Sequence, residues 1–340
     1  MILQSPVYLI VIGASAGGMG ALTRLVSQLP ASLPAAVLIV QHLAPTSSGP
    51  HLVGRLQKAT RLVCALATDG QALEAGHLYL APPDRHLLVQ SGQMLVTKGP
   101  RENNFRPAVD ALFRSAAAYH GAAVVGVVLT GLLHDGTAGL DQIKRAGGRA
   151  VVQDPLEAEF SSMPESALNN VAVDYVAPLA EMGALLTRLV HETPPPAAGS
   201  VPEDIRLEAA IAERVVGNTE EVAQLGRPVP FTCPGCGGSL WQLNEGNVVR
   251  FRCHTGHAFT LGTLLDDSRQ GLEETLWVAL RMMEERKNLL RTLAAQPGTS
   301  AGTSNSQFER IAELKNHVNR LREFLLNGLD RPLSSLEPEK

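Results

Sequence analysis

Three residues that together can carry out acyl transfer each lie at or just beyond the end of an apolar, β-branched run. Ser15 follows VYLIVIGA, His42 ends AVLIVQH, and Asp135 comes shortly after VVGVVLTG, within Leu132-Leu133-His134-Asp135-Gly136. A serine hydroxyl attacks a carbonyl once a histidine takes its proton, and a carboxylate fixes the imidazole tautomer and stabilises its cation. Gly13-x-Ser15-x-Gly17 also has the nucleophile-elbow spacing. Glycines two residues either side let a strand turn sharply into a helix and leave the hydroxyl beside the helix N-terminus. Amides there suit a developing oxyanion. Each feature alone has a plainer use. A glycine-rich turn also cradles phosphate, a strand-end histidine also serves as a hydrogen-bonding group, and Asp135-Gly136 also suits a turn or a helix N-cap. His134 competes with Asp135 for the third role.

A second constellation lies far along the chain. Cys233-Pro234-Gly235-Cys236-Gly237-Gly238 is a tight knuckle, and Arg252-Cys253-His254-Thr255-Gly256-His257 offers a second half. Two ligands from one turn and two from another, across an intervening hairpin, make the arrangement of a structural zinc ribbon. The expected ligands are Cys233, Cys236, Cys253 and His257, with His254 competing for the fourth place. Zinc binding, worth about 10–16 kcal/mol, would supply stability that a small glycine-rich module cannot draw from its core. Four protein ligands leave no open position, so the zinc is expected to be structural and catalysis to need no cofactor. The bland alternative is reduced cysteines without metal. With Cys64 standing alone, the cysteines make a poor disulfide framework and point to a reducing compartment.

In open α/β sheets, ligands bind outside the strand carboxyl ends, so the elements decide whether Ser15, His42 and Asp135 meet. Strand-like runs at 7–13, 36–42, 77–81, 86–89, 94–97, 123–130, 149–153 and 173–176 alternate with helix-like runs at 19–29, 107–119, 137–145 and 179–191. Several are nearly all apolar, as in a parallel sheet covered on both faces. Residues 79–97, with turns at Pro82-Pro83-Asp84 and Ser91-Gly92, read as antiparallel hairpin material at an edge. The fold class is α/β: a doubly wound, mostly parallel sheet with a small antiparallel addition, followed by the zinc-ribbon-like module and a helical hairpin. The α/β domain is expected over residues 1–191, a linker with a short helix over 192–230, the ribbon over 231–260 and the hairpin over 261–330. Residues 194–200, PPPAAGS, form a stiff exposed spacer. Helical runs at 261–293 and 307–326 are parted by a Gly/Ser/Thr stretch at 298–306, and the tail from 331 is loose. Leu276, Leu280, Met283, Lys287 and Leu290 make a stripe for packing within the hairpin, or for docking to a helical bundle or to a second copy.

At 340 residues the chain has room for two domains, each with its own core. A hydrophobic content of 45% and a net charge of −4 exclude a disordered chain and a nucleic-acid partner. The N-terminal apolar run is short, lacks a basic leader and carries the glycine turn, so it is a core strand rather than a signal peptide. No apolar stretch is long enough to span a bilayer. The expected location is cytoplasmic, without membrane insertion.

The motifs VIGASAGG, IVQHLAP, LYLAPPDRH, FRPAVDALF, GVVLTGLLHDGTAGL, VVQDP and SSMPESAL follow one another in that order. Together, across residues 6–190, they resemble the catalytic domain of CheB-type chemotaxis protein-glutamate methylesterases. The resemblance implies Ser15 as nucleophile, His42 as general base and Asp135 as its orienting partner. The order Ser…His…Asp differs from the Ser…Asp…His of α/β-hydrolases. It also implies hydrolysis of methyl-esterified glutamates on chemoreceptor helices, with glutamine deamidation by related enzymes. The backbone N–H groups of Ala16 and Leu132 would form the oxyanion hole. Two positions depart from the family. Ala16 replaces a usual threonine, which costs an amide-built hole nothing. Leu133 replaces the second glycine of TGMGxDG, which puts rate and substrate preference in question if that position needs a positive φ. Arg106 is placed at the rim to meet acidic substrate surface, or else is a solvated or helix-capping arginine. Phosphoryl-regulated members carry a receiver domain before the esterase, whereas here the motifs begin within ten residues of Met1. Control is therefore expected from the C-terminal region or a separate regulator, or the site is constitutively open.

Two functions compete on these grounds. One is a serine hydrolase acting on a methylated chemoreceptor or related signalling protein. The other is a non-catalytic signalling or scaffold protein that keeps the fold. A nucleotide-binding domain fits less well, with no Walker lysine and no acidic residue at the ribose position. Residues 203–330, held close by a short linker, are expected either to cover the Ser15 rim or to present the enzyme to its target.

Overall fold

The computed structural model describes residues 8–193, 200–214, 217–296 and 301–327, without the side chains of 301–304 and 327. The expectations for residues 194–199 and for the tail from 331 lie outside the described residues. Contacts divide the chain into residues 1–263 and 264–340.

The first unit begins with β1 (Tyr8–Ala14), α1 (Gly18–Val26), β2 (Ala35–Gln41), α2 (Gly49–Gln57), β3 (Val63–Leu66), β4 (His77–Leu80), β5 (His86–Gln90) and β6 (Gln93–Thr97). It continues through α3 (Val109–His120), β7 (Val124–Val128), α4 (Thr137–Arg145), β8 (Arg149–Gln153), α5 (Ser162–Asn170), β9 (Tyr175–Ala177) and α6 (Leu179–His191). Among the described residues the main sheet has seven strands in the order β3-β4-β2-β1-β7-β8-β9, all paired in parallel. Every residue of β1, β2 and β7 is buried, which is why these runs carry no polar alternation.

Alternate side chains of β1 serve opposite faces. Leu9 and Val11 join Val109, Leu112 and Phe113 of α3, Leu140 and Ile143 of α4 and Met163 of α5 in one apolar layer. Ile10 and Ile12 join Leu22 and Leu25 of α1 and Leu186 and Leu189 of α6 in the other. Each buried side chain of this size contributes about 1.5–3 kcal/mol, so two such layers hold the central strands in fixed register.

Four elements differ from the sequence reading. Tyr79 belongs to parallel β4, between β2 and β3, and only β5 and β6 form the antiparallel pair. A four-residue buried strand is too short for periodicity to decide its partner. Edge strand β3 and helices α2 and α5 escape the sequence reading, because β3 is four residues with none buried and the short helices mix exposed and buried positions.

Beyond α6 come α7 (Glu203–Glu213), α8 (Thr219–Leu225), and an antiparallel sheet β10 (Gly226–Thr232), β11 (Ser239–Leu243), β12 (Arg250–Cys253) and β13 (Ala258–Thr260). Two helices thus stand where the sequence suggests a linker with one. Asn218 caps α8 by accepting from the Glu221 amide at 2.8 Å. Ile205 of α7 is buried in the same core as Phe113 of α3.

Charge holds this region as well. Glu208 of α7 pairs with Arg114 of α3 (3.2 Å) and with Arg250 (2.8 Å) and Arg252 (3.0 Å) of β12. Glu102 pairs with Arg114 at 2.6 Å and Arg252 at 3.0 Å, and all five residues are buried. A ribbon held apart by a spacer is therefore not what these residues build. They lie with the α/β sheet in one compact unit.

The second unit contains most of α9 (Leu261–Ala294) and all of α10 (Ala301–Asn327). Residues 301–306, read as part of a loop, are already helical, while 297–300 lie outside the described residues. Leu280 and Lys287 of the expected stripe are buried, and Lys287 pairs with Glu284. Ile311, Val318 and Leu325 are buried at seven-residue spacing, as in a helix–helix seam. No helix among the described residues is long and apolar enough to cross a membrane.

Candidate active site

Strand order makes the site. From β1 the sheet grows to β2 on one side and to β7 on the other, so the carboxyl ends of three adjacent strands open at one switch point. Ser15 directly follows β1, its amide bonded to the Thr130 carbonyl at 3.0 Å. Gly17, with φ of +73°, turns the chain into α1, a conformation that L side chains rarely adopt. Gly131 allows the loop after β7 to close on the serine. A Cβ at that position would lie 2.8 Å from the Ser15 Cβ and 2.1 Å from the Met163 sulfur.

Ser15 Oγ lies 3.1 Å from His42 Nδ1, and His42 Nε2 lies 2.7 Å from Asp135 Oδ2. An ionised Asp135 accepts from Nε2–H, which leaves Nδ1 free to accept the serine proton. His134 goes elsewhere: its ring lies against Gly262, where a Cβ would meet it at 2.8 Å.

Asp135 is almost fully buried and richly bonded. Besides His42 it accepts from the Val109 amide (2.6 Å), the Asp110 and Gly136 amides (3.1 Å each) and Asn103 Nδ2 (3.1 Å). Val109 and Asp110 open α3, so a helix N-terminus faces the carboxylate. Burial pushes this carboxyl upward. The hydrogen bond and charge of His42, with the Val109 and Asn103 donors, outweigh it and hold Asp135 below its ordinary pKa. Neighbouring Asp110 moves the other way, raised by burial and by the Asp135 charge.

Sequence reasoning missed the turn at residues 102–105. Asn103 and Asn104 have φ of +48° and +70°, the pattern of a type I′ turn that asparagine tolerates. The Glu102 amide donates to the Phe105 carbonyl (3.2 Å) and the Phe105 amide to the Glu102 carbonyl (2.9 Å). Phe105 stacks on His42 with ring centroids 3.5 Å apart and planes 10° from parallel. Asn103 Nδ2 also donates to Asp110 at 2.8 Å. The Asn-Asn pair before Phe-Arg-Pro is itself a turn signal, but nothing local says which side chains it feeds. Gln41 is a second omission: its Nε2 donates to the Ser15 carbonyl at 2.7 Å.

Ala16 and Leu132 follow Ser15 and Gly131, and the two loops are tied by Thr130 Oγ1, which donates to the Ala16 carbonyl at 3.0 Å. Leu133 has φ of +67°, so the family glycine is replaced where a left-handed backbone is retained. A non-glycine residue there costs about 1–3 kcal/mol. Arg106, read as a rim residue or else a solvated or helix-capping one, is bonded within the chain. Its Nε and Nη2 donate to Asp84 Oδ1 (2.9 and 2.6 Å) and its Nη1 to the Gly99 carbonyl (2.8 Å).

In the ribbon, donor atoms of Cys233, Cys236, Cys253 and His257 lie within 4.8 Å of one another. Zn–S of about 2.3 Å and Zn–N of about 2.0–2.1 Å give tetrahedral edges of about 3.8 Å for S···S and about 3.5–3.6 Å for S···N. Cys236 Sγ and Cys253 Sγ are 3.8 Å apart, and Cys253 Sγ is 3.5 Å from His257 Nδ1. The donor set fits a tetrahedral metal. His254 instead meets Trp241 edge-on at 6.5 Å between ring centroids.

Comparison with known proteins agrees with the α/β fold. A family model described as CheB methylesterase matches residues 10–186, so α7 to α10 lie beyond it. Protein-glutamate methylesterase/protein-glutamine glutaminases of Photorhabdus laumondii and Thiobacillus denitrificans are 40% and 42% identical over 178 and 184 residues. Those matches cover 51% and 53% of this chain but only about half of the relatives, 50% and 51%. A Leptospira interrogans protein provisionally given the same name is 39% identical over 181 residues, 53% of this chain and 93% of that one. The crystal structure of the Thermotoga maritima CheB methylesterase catalytic domain matches with a TM-score of 0.52 and 33% identity, covering 54% of this chain and 98% of that chain.

Proposed function

The chain belongs to the CheB methylesterase family, and from that premise we propose that it hydrolyses methyl esters of glutamate side chains through Ser15, His42 and Asp135. The observation that carries this reading is the continuous Ser15–His42–Asp135 hydrogen-bond chain at three adjacent strand ends. His42 Nδ1 takes the serine proton as Oγ adds to the ester carbonyl. The oxyanion that forms is stabilised by the Ala16 and Leu132 amides, and Asp135 stabilises the imidazolium. His42 then protonates the departing methoxide, releasing methanol and leaving an acyl-enzyme. Water, deprotonated by His42, repeats the addition and frees the glutamate carboxylate. A glutamine side chain would leave ammonia by the same route. The partner is a methylated chemoreceptor or a related signalling protein. Cys233, Cys236, Cys253 and His257 would hold a structural zinc, which supplies folding stability to the ribbon and no step of the hydrolysis.

The test is methanol release from a methyl-esterified receptor by the full chain. The wild type should release methanol, and Ser15→Ala should lower turnover by as much as about a millionfold, as loss of the nucleophile does in subtilisin. A wild type that releases none, or a Ser15→Ala protein that keeps most of the rate, overturns the reading.

A further inference from the structure

The turn at residues 102–105 touches the triad on one side and the ribbon on the other. Its inner contacts are the stacking of Phe105 on His42 and the bonds from Asn103 Nδ2 to Asp135 (3.1 Å) and Asp110 (2.8 Å). On its other side the turn meets the ribbon. The Asn103 amide donates to the Ala258 carbonyl at 2.8 Å, and the Thr260 amide donates to Asn103 Oδ1 at 2.9 Å. Glu102 bridges to Ala258 through its backbone and to Arg252 through its carboxylate, at 3.0 Å.

We propose that Asn103 is a positioning residue through which the folded ribbon sets Asp135 and His42, so that metal held by the ribbon governs turnover. The inference rests on the triad assignment above. Asn103 is buried, and its side chain is fully used: Oδ1 accepts once and Nδ2 donates twice. With Oδ1 held by Thr260, the two Nδ2 hydrogens must face the Asp135 and Asp110 carboxyl groups, and one amide bridges the pair. The ribbon can hold Oδ1 only while β13 keeps its place. That place is set by the hairpin joining β12 to β13, in which the Cys253 amide donates to the His257 carbonyl at 3.0 Å. Cys253 and His257 are two of the four clustered donors. Those two residues, if they ligate a metal ion, would fix the hairpin from which the Ala258 carbonyl and the Thr260 amide project. A sheet this small has little core of its own and loses order without its metal. The buried pairs of Glu102 and Glu208 with the β12 arginines hold the ribbon in place, but only the Thr260–Asn103 bond orients the amide. Misplacing a catalytic group by about 1 Å costs on the order of 100-fold in rate.

The experiment uses the full chain and a small acetate ester, following kcat, KM and the pH profile. Asn103→Gly removes the amide while accepting the left-handed backbone without strain. It should lower kcat on the order of 100-fold with KM little changed. The acid limb of kcat/KM should move to higher pH, because Asp135 loses a donor that favours its charged form while His42 and Asp110 still face it. Cys236→Ser should lower kcat comparably, yet cost no further activity in the Asn103→Gly background. If Cys236→Ser does not fold, graded chelation of the folded wild type replaces it, and turnover should fall in step with metal release. Multiplying losses in the double variant, an unmoved acid limb in Asn103→Gly, or full turnover after metal release would overturn the proposal. Ser15→Ala separates the two readings. Turnover independent of Ser15 ends the triad assignment and this inference with it, whereas Ser15-dependent turnover indifferent to Asn103 and to metal ends this inference alone.

Discussion

The two chemical centres of the first unit are built in opposite ways. Ser15, His42 and Asp135 project from the ends of buried parallel strands, and two apolar layers hold those strands before any chemistry is done. In the ribbon, Trp241 and Leu243 share a small apolar core with Ile211, Val222 and Leu225 of α7 and α8, four Cys and His donors cluster, and two arginines enter buried pairs with Glu102 and Glu208. In the first centre the fold holds the chemistry; in the second, buried charge and the metal we propose would hold the fold. Substitutions in the triad should therefore act on rate, and substitutions in the ribbon and its ion pairs should act first on stability.

The largest expected effect breaks the first half of that contrast if it fails. Asp135→Asn removes the acceptor that fixes the His42 tautomer, and kcat for methyl-ester hydrolysis should fall by about 10⁴. Steady-state methanol release measures it, and a loss below tenfold would mean that His42 is oriented by something else.

Next comes the ion lattice. Glu208→Gln leaves Arg250, Arg114 and Arg252 short of a buried partner, which should cost about 3–5 kcal/mol in urea unfolding. A cost under about 1 kcal/mol, the range of exposed pairs, would show that the ribbon is docked by apolar contact instead. The same lattice gives a pH signature. Burial opposes the charge of Glu102, but Arg114 and Arg252 hold its carboxyl down at about 2, against an ordinary 4.5. Glu208 is shifted in the same direction by Arg250, Arg114 and Arg252 against its burial. A carboxyl whose folded pKa is depressed stabilises the fold above its unfolded pKa and loses that contribution as pH falls through the folded one. Thermal stability should thus decline between pH 4.5 and about 2. A melting temperature flat across that window contradicts the lattice.

The smallest effect lies at the rim. Leu133→Gly relieves a left-handed leucine and should stabilise the native backbone by about 1 kcal/mol, offset in part by the greater freedom glycine gives the unfolded chain. Turnover should stay the same or rise. A tenfold fall would mean that the Leu133 side chain itself takes part in the site.

Ser15, His42 and Asp135 were legible together because each lies at or beyond the end of an apolar run, and the α/β fold sends such ends to one edge. The four ribbon donors were legible because their spacing is local. What joins the two centres was not. Asn103 and Thr260 are far apart in sequence, and neither lies in a pattern that names the other. Arg250 and Arg252 did leave a trace: two arginines at i and i+2 put two charges on one face of a strand, which must be paired if that face is buried. Their partners, Glu102 and Glu208, could not be named without the packing of α7 on α3. The partner of Arg106 was hidden for the same reason, since its acceptor Asp84 lies in a turn that only tertiary structure brings near.

The central claim is that ester cleavage passes through a covalent intermediate on Ser15. The direct measurement is acid-quenched turnover of a glutamyl methyl-ester peptide, followed by mass analysis of the Ser15-containing fragment. That fragment should carry the glutamyl acyl group, with one methanol released for each adduct formed, and the adduct should be absent from Ser15→Ala. Methanol released at an undiminished rate by Ser15→Ala, or an adduct on another residue, would contradict the account.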